Sequence, residues 1–219
     1  YSEKIVKFPE IWNSHSGFNY DRNLNKLPSL NSKNFTYGSF NNFRKISDET
    51  INIWSEILKK NKNSNLILKS SEFCSEKNLI EKFKMNGVDD RIKIFNKLDF
   101  QKKIDHLYLY KKVDLALDTF PYNGVTTTFE SLWMNVPVLV LKGYNFNSRC
   151  GESIIKNAKC DYFIAKNKSE YIEKALYLSQ HKEKLINYRE KIFQTILSSS
   201  LFDTKKFTQN FQNLLLNLL

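Results

Sequence analysis

The chain has 219 residues, a net charge of +11, 41% hydrophobic residues and three cysteines. That length and apolar content suffice for one large or two small packed domains and exclude a disordered chain. No apolar run approaches the roughly 20 residues of a membrane span, and no signal peptide is visible. Cys74, Cys150 and Cys160 lie far apart without metal-ligand spacing. They read as reduced thiols of a cytoplasmic protein, not as a disulfide framework or zinc site. The positive charge is mostly lysine spread along the whole chain, and the five arginines stand apart from one another. This is a solvated surface, not a nucleic-acid groove.

Residues 1–34 are rich in Asn and Ser and show little periodicity. They are expected to form a linker or strap entering a main domain over residues 35–219. The chain begins at Tyr1 without a methionine, as a piece of a longer protein would. From there strand and helix patterns alternate. Strands are predicted at Phe35–Phe40, Asn65–Lys69, Arg91–Phe95, Val113–Leu117 and Val136–Leu141. Helices are predicted between them at Asp48–Lys60, Ser75–Asn86, Gln101–Tyr110 and Thr126–Met134. The first shows the helical period well, with Ile51, Trp54, Ile57 and Leu58 on one face and Ser47 or Asp48 as cap. Four further helices follow, at Ser148–Lys159, Lys168–Gln180, Glu183–Ser198 and Thr204–Leu219. Repeated βα units with apolar strands predict an α/β fold: a Rossmann-like, doubly wound parallel sheet with C-terminal helices. Its ligand belongs outside the carboxyl ends of the strands. No GxGxxG is present, so an NAD-type fingerprint is absent.

The most informative stretch is VDLALDTFPYNGVTTTFESLWMNVPVLV, Val113 to Val140. A strand runs into a turn-forming loop, Asp118 to Gly124, and then into Thr126, Thr127 and Thr128 at the start of an amphipathic helix. Such an arrangement builds an anion site, because orphan N–H groups and the positive end of the helix dipole face the ligand. The three hydroxyls can serve as donors or as helix caps, although one threonine would suffice for capping. Gly124 after Asn123 permits close backbone approach to a ligand. Asp118 can accept from a ligand hydroxyl or close an Asx turn before Pro121. Trp54 and Trp133 fall on apolar helix faces and are expected in the core. No Ser/His/Asp set, metal-binding pair or paired carboxylates stand out.

The block LDTFPYNGVTTTFESLWMNVPVLVL resembles the nucleotide-sugar-binding half of the O-GlcNAc transferase/SPINDLY family of GT-B glycosyltransferases, especially its bacterial members. YSEK at Tyr1–Lys4, FTYGSFNNFRKI at Phe35–Ile46, SRCGESII at Ser148–Ile155 and SSSLFDTKKF at Ser198–Phe207 extend the likeness over nearly the whole chain. The resemblance implies an inverting transfer of a sugar, GlcNAc or similar, from a UDP- or GDP-sugar to a protein Ser or Thr. No cofactor and no essential metal are expected. A first catalytic domain and a TPR superhelix would lie outside this chain and hold much of the acceptor, so the chain alone is expected to be inactive.

The resemblance makes Lys45 the essential diphosphate lysine and Asn42 a phosphate-contacting amide where the family carries Gln. It places the phosphates on Thr126, Thr127 and Thr128, with Asn123 and Gly124 beside them. His106 stacks on the base, Lys103 lies near the ribose, and Glu130 contacts sugar or ribose hydroxyls. Two further positions depart from the pattern: Val125 stands where animal enzymes have His, and Leu109 where an Arg helps to read uracil. The latter leaves the base, UDP or GDP, open. Transfer to a glycan or small molecule, and a non-catalytic nucleotide-binding module, are the rival readings.

Overall fold

The computed structural model describes residues 2, 5–70, 74–96 and 105–218. Among these residues six strands, β1 (Phe35–Ser39), β2 (Ser64–Lys69), β3 (Ile92–Phe95), β4 (Leu115–Leu117), β5 (Val138–Leu141) and β6 (Ile164–Ala165), form one sheet in the order β3-β2-β1-β4-β5-β6. Every pairing is parallel. The inner strands β4 and β5 are buried at every position, as apolar runs covered on both faces must be. The strand order reverses between β1 and β4, where Tyr37 pairs with Leu115 and Gly38 with Ala116. A crevice opens at such a switch point because the chain leaves the two strands in opposite directions.

Helix α1 (Asp48–Lys60) starts as its sequence indicates: the Ser47 side chain accepts from Thr50 N at 3.1 Å, with acids in the first turn and lysines in the last. Ile51, Trp54, Ile57 and Leu58 are buried against the sheet. Ser47 Oγ and Thr50 Oγ1 both donate to Phe120 O, at 2.6 and 2.7 Å, which ties the start of α1 to the loop after β4. The remaining helices are α2 (Cys74–Met85), α3 (Thr126–Trp133), α4 (Cys150–Asn157), α5 (Lys168–Gln180), α6 (Lys182–Thr195) and α7 (Thr204–Leu216). Among the described residues no helix is long and apolar enough to cross a membrane.

Several boundaries differ from expectation for identifiable reasons. Strand β5 begins two residues late, because Pro137 has no N–H and Val136 N turns back to Ser131 O at 2.8 Å. The segment expected as a helix over Gln101–Tyr110 is a 3₁₀ helix over Asp105–Lys112, its first four residues lying outside the described part. Helix α4 ends before Lys159, which adopts a left-handed φ of 55°. Strand β6, two residues long, was not expected at all.

Residues 5–34 contain no strand and no α-helix, only a 3₁₀ turn at Pro28–Leu30. They are nevertheless held closely. Ile11 and Leu27 are buried, His15 N donates to Leu201 O, and Ser29 N donates to the Asp114 carboxylate at 2.9 Å. Arg22 donates to Trp133 O at 3.0 Å, to Asn135 Oδ1 at 2.7 Å and to Phe193 O at 3.2 Å. Trp133 therefore packs on this segment, its Nε1 donating to Tyr20 O, and is only partly buried. Gly17, at φ +95°, lies so close to the Trp133 ring that a Cβ would come within 2.8 Å of it.

Candidate functional site

At the carboxyl ends of β1 and β4 a cavity of about 360 Å³ is lined by Asn41, Asn42, Lys45, Tyr122, Val125, Thr126 and Thr127, with Trp12, Phe146, Asn147 and Cys150 closing it. Lys45 sits in a short 3₁₀ turn, Phe43–Lys45, whose first N–H groups are partly satisfied by Asn42: its Oδ1 accepts from Arg44 N at 2.9 Å. That bond leaves the Asn42 amide N–H groups as donors. Lys45 Nζ donates to Asn123 O at 3.0 Å and lies 4.1 Å from the centre of the Tyr122 ring. Half-burial lowers its pKa, while the nearby Asp118 charge opposes that shift.

Helix α3 begins beside it. Its N-cap, Val125, makes no side-chain capping bond; Thr128 N donates to Val125 O at 3.0 Å, while the N–H groups of Thr126 and Thr127 have no intrahelical or capping partner. The three threonines are not equivalent. Thr128 Oγ1 donates back to Gly124 O at 3.2 Å and is buried. Thr127 Oγ1 donates to Asn41 Oδ1 at 2.7 Å. Thr126 is exposed on the cavity wall. Gly124 is required by close approach, but to side chains: a Cβ there would lie 2.4 Å from Thr127 Oγ1 and 2.6 Å from Asn41 Oδ1.

Below the cavity floor Asp118 organises the loop. Its Oδ1 accepts from Gly124 N at 2.7 Å, Thr119 N at 2.9 Å and Asn41 Nδ2 at 3.1 Å. Of the two roles open to Asp118, this is the turn-closing one. Oδ2 is buried and has no hydrogen-bond partner. Burial raises the Asp118 pKa to about 7, against the opposing effect of these donors and Lys45. Asn123, fully buried, bonds Thr119 O through Nδ2 and Gly151 N through Oδ1, fastening the loop to the start of α4. Asn123 thus acts on the site through its backbone carbonyl and through the loop it holds.

One turn further along α3, Glu130 is buried, its Oε1 2.9 Å from His106 Nε2 and its Oε2 accepting from Tyr110 OH at 3.1 Å. Both carboxylate oxygens are therefore engaged by protein groups. Leu109 is buried in the core, so a base-reading role is closed to that side chain. Lys103 lies outside the described residues. The structure thus gathers Asn42, Lys45, Thr126 and Thr127 around one cavity, with Asn123 and Gly124 in its supporting loop and Thr128 bonded back to that loop from α3, and sets His106 with Glu130 in a second cluster. Asn41, Trp12 and Tyr122 were not anticipated. Only Asn41 carried a signal, its place at the end of a strand next to Asn42.

A larger open depression of about 850 Å³ adjoins the cavity and shares Trp12, Phe146 and Cys150 with it. The helix start there, that of α4, already carries its own counter-charge. Glu152 lies in its first turn and is paired to Arg149, Lys156 and Lys142 at 3.0, 2.8 and 3.4 Å. An anion is better served by the cavity at Lys45. Among the described residues no group of three or more His, Cys, Asp or Glu is placed to hold a metal.

A crevice at the switch point, a lysine and an uncapped helix start together suit a phosphorylated ligand. The sequence model of glycosyl transferase family 41 matches residues 21–211. The chain belongs to glycosyl transferase family 41. It is 30% identical, over 97% of its length, to a tomato (Solanum lycopersicum) protein named probable UDP-N-acetylglucosamine–peptide N-acetylglucosaminyltransferase SPINDLY, of which it covers 23%. It is 28% identical to the Caenorhabditis elegans UDP-N-acetylglucosamine–peptide N-acetylglucosaminyltransferase over 81% of its own length and 15% of that protein's. Among solved structures, a mutant of Thermobaculum terrenum O-GlcNAc transferase superposes with a TM-score of 0.79 at 25% identity, covering 96% of this chain and 40% of that one. WaaG, a glycosyltransferase involved in lipopolysaccharide biosynthesis, shares the fold, with a TM-score of 0.62 at 14% identity, over 93% of this chain and 55% of that one. The family 41 chain therefore spans about a quarter of the length of the plant relatives it matches.

Proposed function

We propose that this chain is the donor-binding part of an inverting glycosyltransferase that moves GlcNAc, or a similar sugar, from a UDP- or GDP-sugar to a protein serine or threonine in the cytoplasm. The observation that carries this reading is the meeting of Lys45 with the uncapped start of α3 in one cavity at the carboxyl ends of β1 and β4. The acceptor hydroxyl oxygen attacks the anomeric carbon as the bond to the diphosphate breaks; the electron pair leaves with the diphosphate, and the hydroxyl proton passes to a base outside this chain or to the departing diphosphate. Lys45, the Asn42 amide, the Thr126 hydroxyl and the first N–H groups of α3 hold that growing charge, in place of a metal ion. His106, braced by Glu130, is assigned to the base and Lys103 to the ribose. The names of the plant and nematode relatives, which specify a UDP-GlcNAc donor and a peptide acceptor, support this chemistry. Acceptor groups are assigned to the portion of the relatives that this chain does not span.

Calorimetric titration with UDP, GDP and their sugars tests the reading. One diphosphate should bind, and Lys45→Ala should weaken it roughly 10- to 150-fold, the loss of one charge-assisted hydrogen bond of about 1.5–3 kcal/mol. Binding of neither diphosphate, or equal binding by the variant, would sink the assignment.

A further inference from the structure

Asp118 Oδ1 accepts from two backbone N–H groups, those of Thr119 and Gly124, so any carboxyl proton must sit on Oδ2. The Asn41 amide must then present its NH2 group to Asp118, which turns its oxygen toward Thr127. An amide oxygen only accepts, so the Thr127 hydroxyl proton is committed to Asn41 at 2.7 Å. Asn41 is 5% exposed, so these bonds are sheltered from water. With Thr128 bonded to Gly124 O, two of the three threonine hydroxyl protons are directed inward before any ligand arrives.

We propose that Asn41 is a positioning residue of the donor site: oriented by Asp118, it locks the Thr127 hydroxyl inward so that the start of α3 offers the diphosphate its N–H groups and the Thr126 hydroxyl. This rests on the reading that the cavity binds a nucleoside diphosphate. Asn41 touches the ligand's neighbours and sets their geometry; Lys45 and Thr126 make the contacts. Rotation of Thr127 would release its proton but leave the Asn41 oxygen buried without a donor, which is the cost that holds the arrangement in place.

The test is calorimetry of the diphosphate that binds the wild-type chain, with each variant's Tm recorded alongside. Asn41→Ala should weaken binding about tenfold, the size of one well-made hydrogen bond. Thr127→Val keeps the shape of the site and removes the hydroxyl. Its loss should overlap that of Asn41→Ala, so that the double variant binds about as well as Asn41→Ala alone. Asn41→Asp supplies the discriminating measurement. In its acid form the new carboxyl can donate to Asp118 and accept from Thr127 as the amide does; ionised, it places a second negative charge about 3 Å from Asp118. The other titratable groups that feel the Asp118 charge are Lys45, Tyr110 of the 3₁₀ helix, Cys150 of α4 and Tyr171 of α5. Measured against the wild-type chain at the same pH, Asn41→Asp should bind nearly normally at about pH 5.5 and at least tenfold more weakly at about pH 8. A pH-independent ratio for this variant, or additive losses for Asn41→Ala and Thr127→Val, would overturn the inference. Failure of the wild-type chain to bind any diphosphate would instead overturn the reading on which it rests, and the inference with it.

Discussion

Gly124→Ala puts a methyl group over the bond that joins Thr127 to Asn41. The added carbon would lie 2.4 Å from Thr127 Oγ1 and 2.6 Å from Asn41 Oδ1, closer than real contacts allow, and a tight 3.1 Å from Asn41 Nδ2. Asn41 cannot retreat, because it is buried and held by Asp118. The lowest-cost response is rotation of Thr127 about its side chain, which breaks the 2.7 Å bond and leaves the Asn41 oxygen unpaired. The lost bond costs about 1–1.5 kcal/mol, and the residual overpacking against Asn41 about 1–3 kcal/mol. The expected destabilisation is therefore about 2–4 kcal/mol, read as a lower urea midpoint at unchanged m-value. Diphosphate binding should weaken too, since the Thr127 hydroxyl is turned out of its place at the start of α3. A loss of stability below about 0.5 kcal/mol would show that the loop yields freely and that Gly124 is not fixed by close packing.

Two further substitutions probe other parts of the molecule. Arg22→Ala removes the four bonds that tie the N-terminal segment to the end of α3 and to α6; a loss of roughly 3 kcal/mol is expected in the same urea assay, and one under about 1 kcal/mol would make the tie incidental. Asp118→Asn addresses pH. Because the folded-state pKa of Asp118 is raised from 3.8 to about 7, its contribution to stability is fully present below about pH 4 and is lost as pH rises through about 7. The amide variant should flatten that part of the stability profile, and an unchanged slope would mean that the buried carboxyl does not titrate there.

Much of the fold is legible in the sequence because parallel, doubly covered strands must be continuous apolar runs. Val138–Leu141 and Leu115–Leu117 announce themselves in this way, and Ser47 before an i, i+3, i+4 apolar face announces α1. Strand β6 does not, because two residues carry no period. Isolated arginines read as surface, yet Arg22 and Arg189 are interior ties; Arg189 is buried and donates to Val113 O and Asp114 O. Nothing in their neighbouring residues signals this, since their partners lie 75 or more positions away. At the site, the run of threonines marks the helix start but cannot show where each hydroxyl points. That direction depends on Asn41, 86 positions from Thr127. Asn41 and Asn42 are neighbours of identical type, and only the way the chain leaves β1 buries one and exposes the other.

The single pairing of β1 with β4 also has a meaning for how the molecule assembles. Every other pairing joins strands that follow one another in the chain, while Tyr37 and Leu115 meet across 78 positions. Closing a loop of that length costs about 1 kcal/mol more entropy than closing one a third as long. Lys45 stands on one side of this seam and α3 on the other, so the cavity does not exist until the two halves of the sheet have joined. A diphosphate spanning them would act as a clamp across the seam, slowing unfolding by holding together the strand pairing of highest sequence separation.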